Sequence, residues 1–335
     1  MPDSVSPTRA DQDDFLPTAS WANLRLRSEL LARTRAFFSS RGFLEVETPL
    51  LSADVVVDRY LDPLRVVLPR DPRHPEIGRR LWLQTSPEFA MKRLMAAGGD
   101  AIYQITRAFR GGEAGERHNP EFTIVEWYRR RDLMGDGMQL LSDLAESLLE
   151  MGPAERLSYR EAFEMHAGLD PHRATSAEFA ELAHNRGLSI SDSLARGDRD
   201  GWLNLLLSHL VEPKLGQTRP TILFDYPPSQ AALAQVRGEP PLAERFELYV
   251  RGIELANGYH ELVDPGVLRQ RNRQANLARV AEGKPPLPEE TRLLAAMEAG
   301  LPDCTGVALG FDRVVMLAAG AQSLAEVMPF PIDRA

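Results

Sequence analysis

Cysteine, long apolar runs and an excess of positive charge are all missing from this sequence. Cys304 is the only cysteine, so an intrachain disulfide and a Cys-x-x-Cys metal site are excluded and a reducing compartment is favoured. No apolar run approaches the roughly 20 residues that cross a bilayer. Lys and Arg number 39 against 48 Asp and Glu, a net charge of −9, which argues against a broad, sequence-independent grip on nucleic acid. We therefore expect a cytoplasmic protein that contacts no membrane.

The beginning of the chain lacks the features of a targeting segment. Residues 1–18 are acidic and contain Pro and Ser, with neither the basic start nor the apolar stretch of a signal peptide. We interpret residues 1–18 as a flexible tail and residues 19–335 as one folded domain.

The order of the predicted elements indicates the fold class. With 335 residues, 43% hydrophobic and 26% charged, the chain can bury a core without disulfides or metals. Strands are predicted over 43–51, 80–85, 101–107, 121–127, 221–225, 246–263 and 306–309, and helices over 21–41, 88–97, 266–281 and 289–299. Residues of about 135–215 are interpreted as a helical insertion. Because strands follow strands without regular βα alternation, we expect an α+β fold on a mainly antiparallel sheet.

The first candidate site is a strand, a glycine-containing loop and a returning strand over residues 109–128. Arg110 ends the first strand, where its planar guanidinium suits a phosphate. On the returning strand the period of two places Glu126 and Tyr128 on one face. A carboxylate among apolar neighbours is unfavourable unless it is paired. The charge of Glu126 would be compensated by a structural salt bridge or by a cationic substrate. For the glycine-containing segment itself, the alternative interpretation is a solvated surface loop.

The second candidate site lies in residues 246–263, where Glu254 and Glu261 flank Asn257-Gly258. Asn-Gly predicts a tight hairpin turn, which would set the two carboxylates directly opposite each other. In a single strand, residues an odd number of positions apart point to opposite faces. A bulge adds one residue and would therefore place both glutamates on one face. Either geometry favours a cation such as Mg²⁺, held together with water and phosphate oxygens. Two exposed glutamates at a hairpin tip are the alternative.

The third candidate site is residues 306–313, a strand that turns into a helix. Asp312 is predicted to cap that helix. Arg313 would then lie in the first turn, where the helix dipole disfavours a cation, so an anionic partner is expected. A nearby glutamate or a nucleotide phosphate would serve.

Three segments resemble, in chain order, the three motifs of the class II aminoacyl-tRNA synthetases. They are FLEVETP at 43–49, FRGGEAGERHNPEF at 109–122 and GVALGFDR at 306–313. Thr85-Ser86-Pro87-Glu88 and ELANGYHE at 254–261 are similar to the lysyl-tRNA synthetase branch. The resemblance covers about residues 20–335 and implies a class II catalytic domain, an antiparallel sheet flanked by helices. No anticodon-binding domain is expected, because the OB-fold of lysyl-tRNA synthetases needs on the order of a hundred residues and the motif 1 helix begins near Asn23.

Without that domain, the chain looks like the stand-alone paralogues of lysyl-tRNA synthetase that modify elongation factor P. Those ligases join (R)-β-lysine to a lysine side chain of the factor. The resemblance implies activation of (R)-β-lysine or lysine as an adenylate by ATP and Mg²⁺, followed by transfer with release of AMP. It also implies a homodimer through motif 1 and elongation factor P, not tRNA, as partner. The alternatives are a truncated enzyme that charges a tRNA and a non-catalytic paralogue that only binds lysine and ATP.

The same resemblance implies a role for each candidate residue. The amino acid would contact Ser86, Glu88, Glu126, Tyr128, Asn257 and Glu261. ATP would contact Arg110, Glu113, Asn119, Glu254, Leu255, Gly310 and Arg313. Arg110 and Arg313 would be catalytic by stabilising charge on the phosphates, and Glu254 and Glu261 would hold Mg²⁺.

Two positions depart from the motifs. Gly112 stands where motif 2 has a glutamate that contacts the nucleotide. Either the loop shifts and Glu113 makes this contact instead, or the contact is lost. Ala308 replaces the glycine that is usual in lysyl-tRNA synthetases, as it does in the stand-alone paralogues. The added methyl group would reshape the pocket floor against α-lysine, a change worth about 1–3 kcal/mol.

Overall fold

The computed structural model describes residues 15–190, 194 and 198–335. The helices are α1 (Trp21–Ser39), α2 (Glu88–Ala96), α3 (Met134–Leu149), α4 (Tyr159–His166), α5 (Ser176–Asn185), α6 (Arg199–Leu206), α7 (Pro265–Ala281), α8 (Arg292–Gly300) and α9 (Phe311–Ala318). The strands are β1 (Leu44–Glu45), β2 (Leu51–Ser52), β3 (Arg65–Pro69), β4 (Gly78–Leu83), β5 (Ala101–Phe109), β6 (Glu121–Arg130), β7 (Glu155–Ser158), β8 (Thr221–Tyr226), β9 (Val236–Arg237), β10 (Leu242–Val250), β11 (Ile253–His260) and β12 (Cys304–Gly310).

A nine-stranded sheet organises the molecule. Its strand order is β1-β5-β6-β12-β11-β10-β8-β7, with β9 paired to β10. The pairings β1–β5 and β7–β8 are parallel and the others are antiparallel. Strands β2, β4 and β3 form a separate small sheet. The expected α+β fold with a mainly antiparallel sheet is confirmed.

The two faces of the sheet differ because side chains alternate along each strand. Val125 and Trp127 of β6 join a core built with helices α1, α3 and α9. Glu126 and Tyr128, on the opposite face, point away from that core. One side of the sheet is therefore closed by helices, and the other carries the polar side chains of the candidate site.

Two further cores lie beside the first. Helices α4, α5 and α6 pack on β8 and β10 through residues such as Phe163, Phe179, Trp202 and Tyr226. Helices α2 and α8 pack together through Met95 and Leu293. The predicted helical insertion of about residues 135–215 also contains a strand, β7, which extends the large sheet.

Three expectations about local structure are wrong. The segment 43–51 is not one continuous strand: β1 pairs with β5 at the edge of the large sheet, and β2 pairs with β4 at the edge of the small one. Asn257-Gly258 is not a turn, because both residues lie inside β11 and the chain reverses before Ile253. Asp312 does not cap α9, whose N-cap is Gly310.

Asp312 instead joins three elements. Its carboxylate accepts a hydrogen bond from the Thr123 backbone N–H at 2.7 Å and forms an ion pair with Arg27 of α1 at 2.6 Å. These partners are distant in sequence, so only the packing of α1 and β6 against α9 brings them to this side chain.

The predicted N-terminal tail lies outside the described residues from 1 to 14. Thr18 is hydrogen-bonded to residues near the C-terminus: its backbone N–H donates to Pro329 O at 2.9 Å, and its hydroxyl donates to Met328 O at 2.9 Å. Across the described ranges, every helix is too short or too polar to cross a membrane.

Candidate active site

The polar residues of the site lie in a row across four strands. Glu126 in β6 is opposite Ala308 in β12, and Ala308 is opposite Asn257 in β11. Glu247 in β10 continues the row beyond Asn257. Because directly opposed residues share a face, the small Ala308 forms a low floor between Glu126 and Asn257.

The neighbouring row is centred on a glycine. Gly306 lies opposite Tyr128 on one side and Tyr259 on the other. A Cβ at Gly306 would come within 2.2 Å of the Tyr128 ring and 2.3 Å of Glu261 Oε1. Only glycine therefore lets these two side chains pack over the same point of the strand.

A cavity of about 870 Å³ opens over these rows, within the size range of small-ligand sites. Its lining includes Ser86, Glu88, Arg110, Glu113, Asn119, Glu254, Leu255, Asn257, Gly310 and Arg313. Glu126, Tyr128 and Glu261 are buried behind that lining. The structure thus brings the residues assigned by resemblance to one cavity and its immediate wall.

One end of the cavity is acidic. Ser86 donates to one oxygen of Glu126 at 2.6 Å, and the Tyr128 hydroxyl donates to the other at 2.7 Å. Burial, reinforced by the charge of Glu88, raises the pKa of Glu126 to about 7. The hydrogen-bond partners of Glu126 are neutral, and its carboxylate forms no ion pair with any described residue, although the charge of Lys92 opposes the rise of its pKa.

A buried lysine separates the other two acids at this end. Lys92 Nζ lies 2.5 Å from Glu88 Oε1 and 2.5 Å from Glu261 Oε2. Burial lowers the lysine's pKa, but the two carboxylates outweigh it and hold the pKa well above its ordinary value. Sequence reasoning missed Lys92, although a Glu and a Lys four residues apart on a predicted helix are a signal for an ion pair.

Glu247 was also missed. It accepts hydrogen bonds from the hydroxyls of Tyr226 and Tyr249 at 2.5 and 2.6 Å, and from Asn257 Nδ2 at 3.0 Å. Arg245 completes its partners. No local sequence signal marks this group, because strand register assembles it from β8, β10 and β11.

The other end of the cavity carries arginines. The Arg110 guanidinium lies over the Phe122 ring, 5.0 Å from its centroid, and its Nη1 is 4.0 Å from Glu113 Oε2. Gly112 has a φ of +79°, which a glutamate adopts only with strain. The loop therefore turns at Gly112 and places Glu113 in the cavity wall.

Arg313 contacts only uncharged acceptors in the described part of the chain. It donates to the backbone oxygens of Glu254 at 2.7 Å and Arg117 at 3.2 Å, and to His118 Nε2 at 2.7 Å. Burial, together with the charge of Arg313, lowers the pKa of His118 and keeps the ring available as an acceptor. The glutamate partner considered for Arg313 is absent here, which leaves its charge for an anion in the cavity.

Both polar groups of the Asn119 side chain form hydrogen bonds within the protein. Its Nδ2 donates to Glu121 O at 2.6 Å, and its Oδ1 accepts from the Ile332 backbone N–H at 2.9 Å. The side chain thus ties the loop to the C-terminal residues while it lines the cavity.

A bulge in β11 places Glu254 on the same face as Glu261, the residue that follows the strand. Tyr249 pairs with Glu254 while Leu248 pairs with Ala256, which leaves Leu255 as the extra residue. The bulge alternative is therefore confirmed and the tight-turn alternative is wrong. Burial and then the charge of Glu247 raise the pKa of Glu254.

The described residues contain no cluster of three or more His, Cys, Asp or Glu side chains able to hold a metal ion. Any ion held by the bulged strand would therefore need further ligands from substrate or water. Burial and the charge of Glu247 raise the pKa of Glu254 although the charges of Arg313 and Arg245 oppose the shift, and a carboxylate oxygen is a ligand type that Mg²⁺ takes together with phosphate and water.

Comparison with known proteins places these features in a family. Residues 14–334 match the family model described as tRNA synthetases class II (D, K and N). An elongation factor P (R)-β-lysine ligase of Klebsiella pneumoniae subsp. pneumoniae is 49% identical over 321 residues, which cover 95% of this chain and 98% of the relative. The ligases of the same name from Klebsiella pneumoniae strain 342 and Salmonella paratyphi B are 48% identical with the same coverage. With nearly its whole length matched, the chain belongs to the class II tRNA synthetase family of the D, K and N type.

Proposed function

We propose that this protein is a ligase that activates (R)-β-lysine with ATP and transfers it to a lysine side chain of elongation factor P. The observation that carries the proposal is one cavity with an acidic end and an arginine-bearing end, in a chain 49% identical to a ligase of that name. The proposed reaction takes place in the cytoplasm, together with its protein substrate.

The acidic end suits an amino acid with two ammonium groups. Glu126 accepts a hydrogen bond from Tyr128, Glu261 and Tyr128 both lie against Gly306, and both carboxylates are buried. Ammonium groups would compensate Glu126, which forms no ion pair with the described residues, and would contact the oxygen of Glu261 that Lys92 does not pair with, since a buried charge is stable only when it is paired. Asn257, across Ala308 from Glu126, would contact the same substrate.

The arginine end suits the phosphates of ATP. Arg313 lacks an anionic partner among the described residues, and Arg110 is held flat against Phe122 at the cavity wall. Glu113, Asn119, Leu255 and Gly310 would form the rest of the nucleotide site. Glu254 and Glu261 would hold Mg²⁺, which neutralises charge on phosphate oxygens.

Positioning and charge stabilisation account for the proposed chemistry. The substrate carboxylate attacks the α-phosphorus of ATP, pyrophosphate leaves, and Arg110 and Arg313 stabilise the charge that develops. The neutral amine of the acceptor lysine then attacks the carbonyl carbon of the adenylate. An amide bond forms, the amine loses a proton and AMP leaves.

Two measurements test the proposal. Pyrophosphate–ATP exchange that depends on (R)-β-lysine or lysine is expected, and no exchange with either isomer would favour a non-catalytic paralogue. The intact mass of elongation factor P incubated with enzyme, ATP and each isomer should rise by one lysine residue. Exchange with no mass change in the factor, but with aminoacylated tRNA formed in a parallel reaction, would instead support the tRNA-charging alternative.

A further inference from the structure

The cavity has a third region, formed by segments other than those that carry the acidic end and the arginine end. It is lined by the loop at residues 56–61, by Asp200 and Asn204 of α6, by residues 228–233 and by the face of α7 that carries Gln274. The residues assigned to the amino acid and to ATP all lie on other segments. Because the proposed reaction has three reactants, the acceptor lysine is the one that still lacks a binding site.

The third region is open to solvent on each of its four segments. Tyr60, Asn204, Ser229 and Gln274 line the cavity and are exposed, and each belongs to a different segment. A cavity of about 870 Å³ has the size of a small-molecule site, so a protein substrate can place only a side chain in it. Such a side chain must enter where the lining is exposed.

Asp200 is a carboxylate at this opening that lacks a cation. Its Oδ1 accepts a hydrogen bond from Ser229 Oγ at 2.6 Å, and it forms no ion pair with any residue that the structure describes. Arg59 does not supply the missing charge, because it already pairs with Asp198 at 3.0 Å and with Glu282 at 2.6 Å. The half-buried Asp200 therefore carries a charge that its surroundings leave uncompensated.

Helix capping does not account for Asp200. The N-cap of α6 is Asp198, whose Oδ1 accepts from the Gly201 backbone N–H at 2.9 Å. Asp200 lies in the first turn, and its carboxylate instead accepts from Ser229, on a segment outside the helix. That hydrogen bond fixes the carboxylate at the wall of the cavity.

The charges that line the third region favour a cation. Asp58 forms no ion pair in the described ranges, and its carboxylate accepts only from backbone N–H groups of its own loop. Arg271 is the opposing cation, and its guanidinium donates to two backbone oxygens at 2.6 and 2.8 Å. Since Arg59 is balanced by its own two acids, Asp58 and Asp200 less Arg271 leave a net charge of −1.

We propose that the third region binds the acceptor lysine side chain of the protein substrate, and that Asp200 contacts its ammonium group at the opening. The inference rests on the proposed function and assigns a subsite to the third reactant. A partly buried carboxylate without a cation forms a strong, charge-assisted hydrogen bond with an ammonium group. Ser229 donates to one oxygen of Asp200 and leaves the other for the acceptor.

The test compares transfer with activation in the same preparation. Asp200→Asn removes the charge and keeps the shape of the side chain. We expect its kcat/KM for elongation factor P, followed by intact mass at saturating ATP and (R)-β-lysine, to fall at least tenfold more than its rate of pyrophosphate–ATP exchange. Capture of the adenylate by hydroxylamine, a small uncharged nucleophile, should fall no more than exchange does, because hydroxylamine needs no subsite for an ammonium group.

A second variant approaches the opening from α7. Gln274→Lys adds a positive charge at an exposed lining position, and repulsion of the acceptor ammonium should lower transfer at least tenfold relative to exchange. Gln270→Lys is the matched control, since Gln270 is exposed on the same helix one turn earlier and outside the cavity lining. It should transfer and exchange like the wild-type protein.

The inference is overturned if transfer by Asp200→Asn falls only in parallel with exchange, or if Gln274→Lys and Gln270→Lys transfer equally well. An equal loss with elongation factor P and with hydroxylamine also contradicts it, because that result would assign Asp200 to the reactivity of the adenylate. If Asp200→Asn does not fold, the two α7 variants decide. A wild-type protein that neither exchanges nor transfers would contradict the proposed function itself, a separate result.

Discussion

At the scale of single residues, the candidate site depends on small side chains as much as on charged ones. Gly306 and Ala308 alternate on β12, and the polar groups of β6 and β11 stand on either side of them. Volume at these two positions therefore controls whether the acidic side chains can reach a ligand.

Gly306→Ala is expected to impair amino-acid binding selectively. The new methyl group would collide with Tyr128 and Glu261, so both side chains must move. We expect the KM for the amino acid to rise at least tenfold and the KM for ATP to change less than twofold in the exchange assay, a loss of about 1.4 kcal/mol or more. Gly135→Ala in α3, where an added Cβ meets nothing within 4 Å, should behave like wild type. Equal effects of both substitutions would refute the prediction.

The raised pKa of Glu126 predicts a pH dependence of binding. Only the ionised carboxylate attracts an ammonium group, and the pKa of about 7 places that ionisation near neutrality. The KM for the amino acid should fall roughly tenfold between pH 6 and pH 8. In Glu126→Gln the KM should be higher and this part of the pH profile should be flat. A wild-type slope retained in the variant would assign the titration to another group.

The raised pKa of Glu126 also predicts that the stability of the folded protein falls as pH rises, whereas substrate binding strengthens. A carboxyl group with a raised pKa in the folded state holds more protons there than in the unfolded state, so stability falls as pH rises from about 4.5 to about 7. The loss amounts to about 3 kcal/mol at most. Glu126→Gln should therefore melt at a higher temperature than wild type at pH 8 but not at pH 4, as measured by calorimetry without substrate. A lower melting temperature at pH 8 would contradict this sign.

At the scale of elements, loops and strand irregularities decide where the chemistry can occur. The loop between β5 and β6 turns at Gly112, and Glu113 then lies 4.0 Å from Arg110. This position is compatible with Glu113 serving in place of the missing motif 2 glutamate, and a lost nucleotide contact is the alternative.

Glu113→Ala is expected to weaken ATP binding. A half-buried carboxylate beside Arg110 is worth about 1 kcal/mol, so the KM for ATP should rise roughly fivefold while the KM for the amino acid stays within twofold. Glu116→Ala in the exposed part of the same loop is the control and should leave both values unchanged. An unaltered ATP KM in Glu113→Ala would mean that the nucleotide contact has been lost from this chain.

At the scale of the whole molecule, exposed apolar side chains bear on the homodimer that the motif 1 resemblance implies. Leu44 of β1 is 64% exposed, and Leu68 of β3 and Ile77 beside β4 are 51% and 62% exposed. Where exposed apolar side chains form a contiguous patch, they mark an interaction surface. We propose that the motif 1 region and the adjoining small sheet form a homodimer interface.

Analytical ultracentrifugation at micromolar concentration should therefore detect a dimer. Leu44→Glu combined with Leu68→Glu should shift the protein to a monomer, because the charges would be buried in the interface. Leu277→Glu, at an exposed leucine of α7, should leave the dimer intact. A wild-type protein that sediments only as a monomer would contradict the proposal.

Sequence reasoning succeeded where the determining interactions are local. Period-two and helical spacing predicted most of β5, β6, α2 and α7 within a few residues, because alternation and amphipathicity are properties of short segments. It failed at Asn257-Gly258, where turn propensity is overridden by pairing with β10 and β12 on both sides. It failed again at Asp312, whose partners on α1 and β6 are far away in the chain.

The amino-acid sequence by itself determined the three motifs, and the family resemblance that they carry implied the fold class and several of the residues that line the cavity. These features depend on residue type and short-range spacing. Only the tertiary structure decided that a bulge, and not a turn, places Glu254 and Glu261 on one face, that Glu113 lies 4.0 Å from Arg110, and that Lys92 stands between two acids. The physical reason is that strand register and the packing of α2 against the sheet depend on contacts between distant segments, which no local pattern specifies.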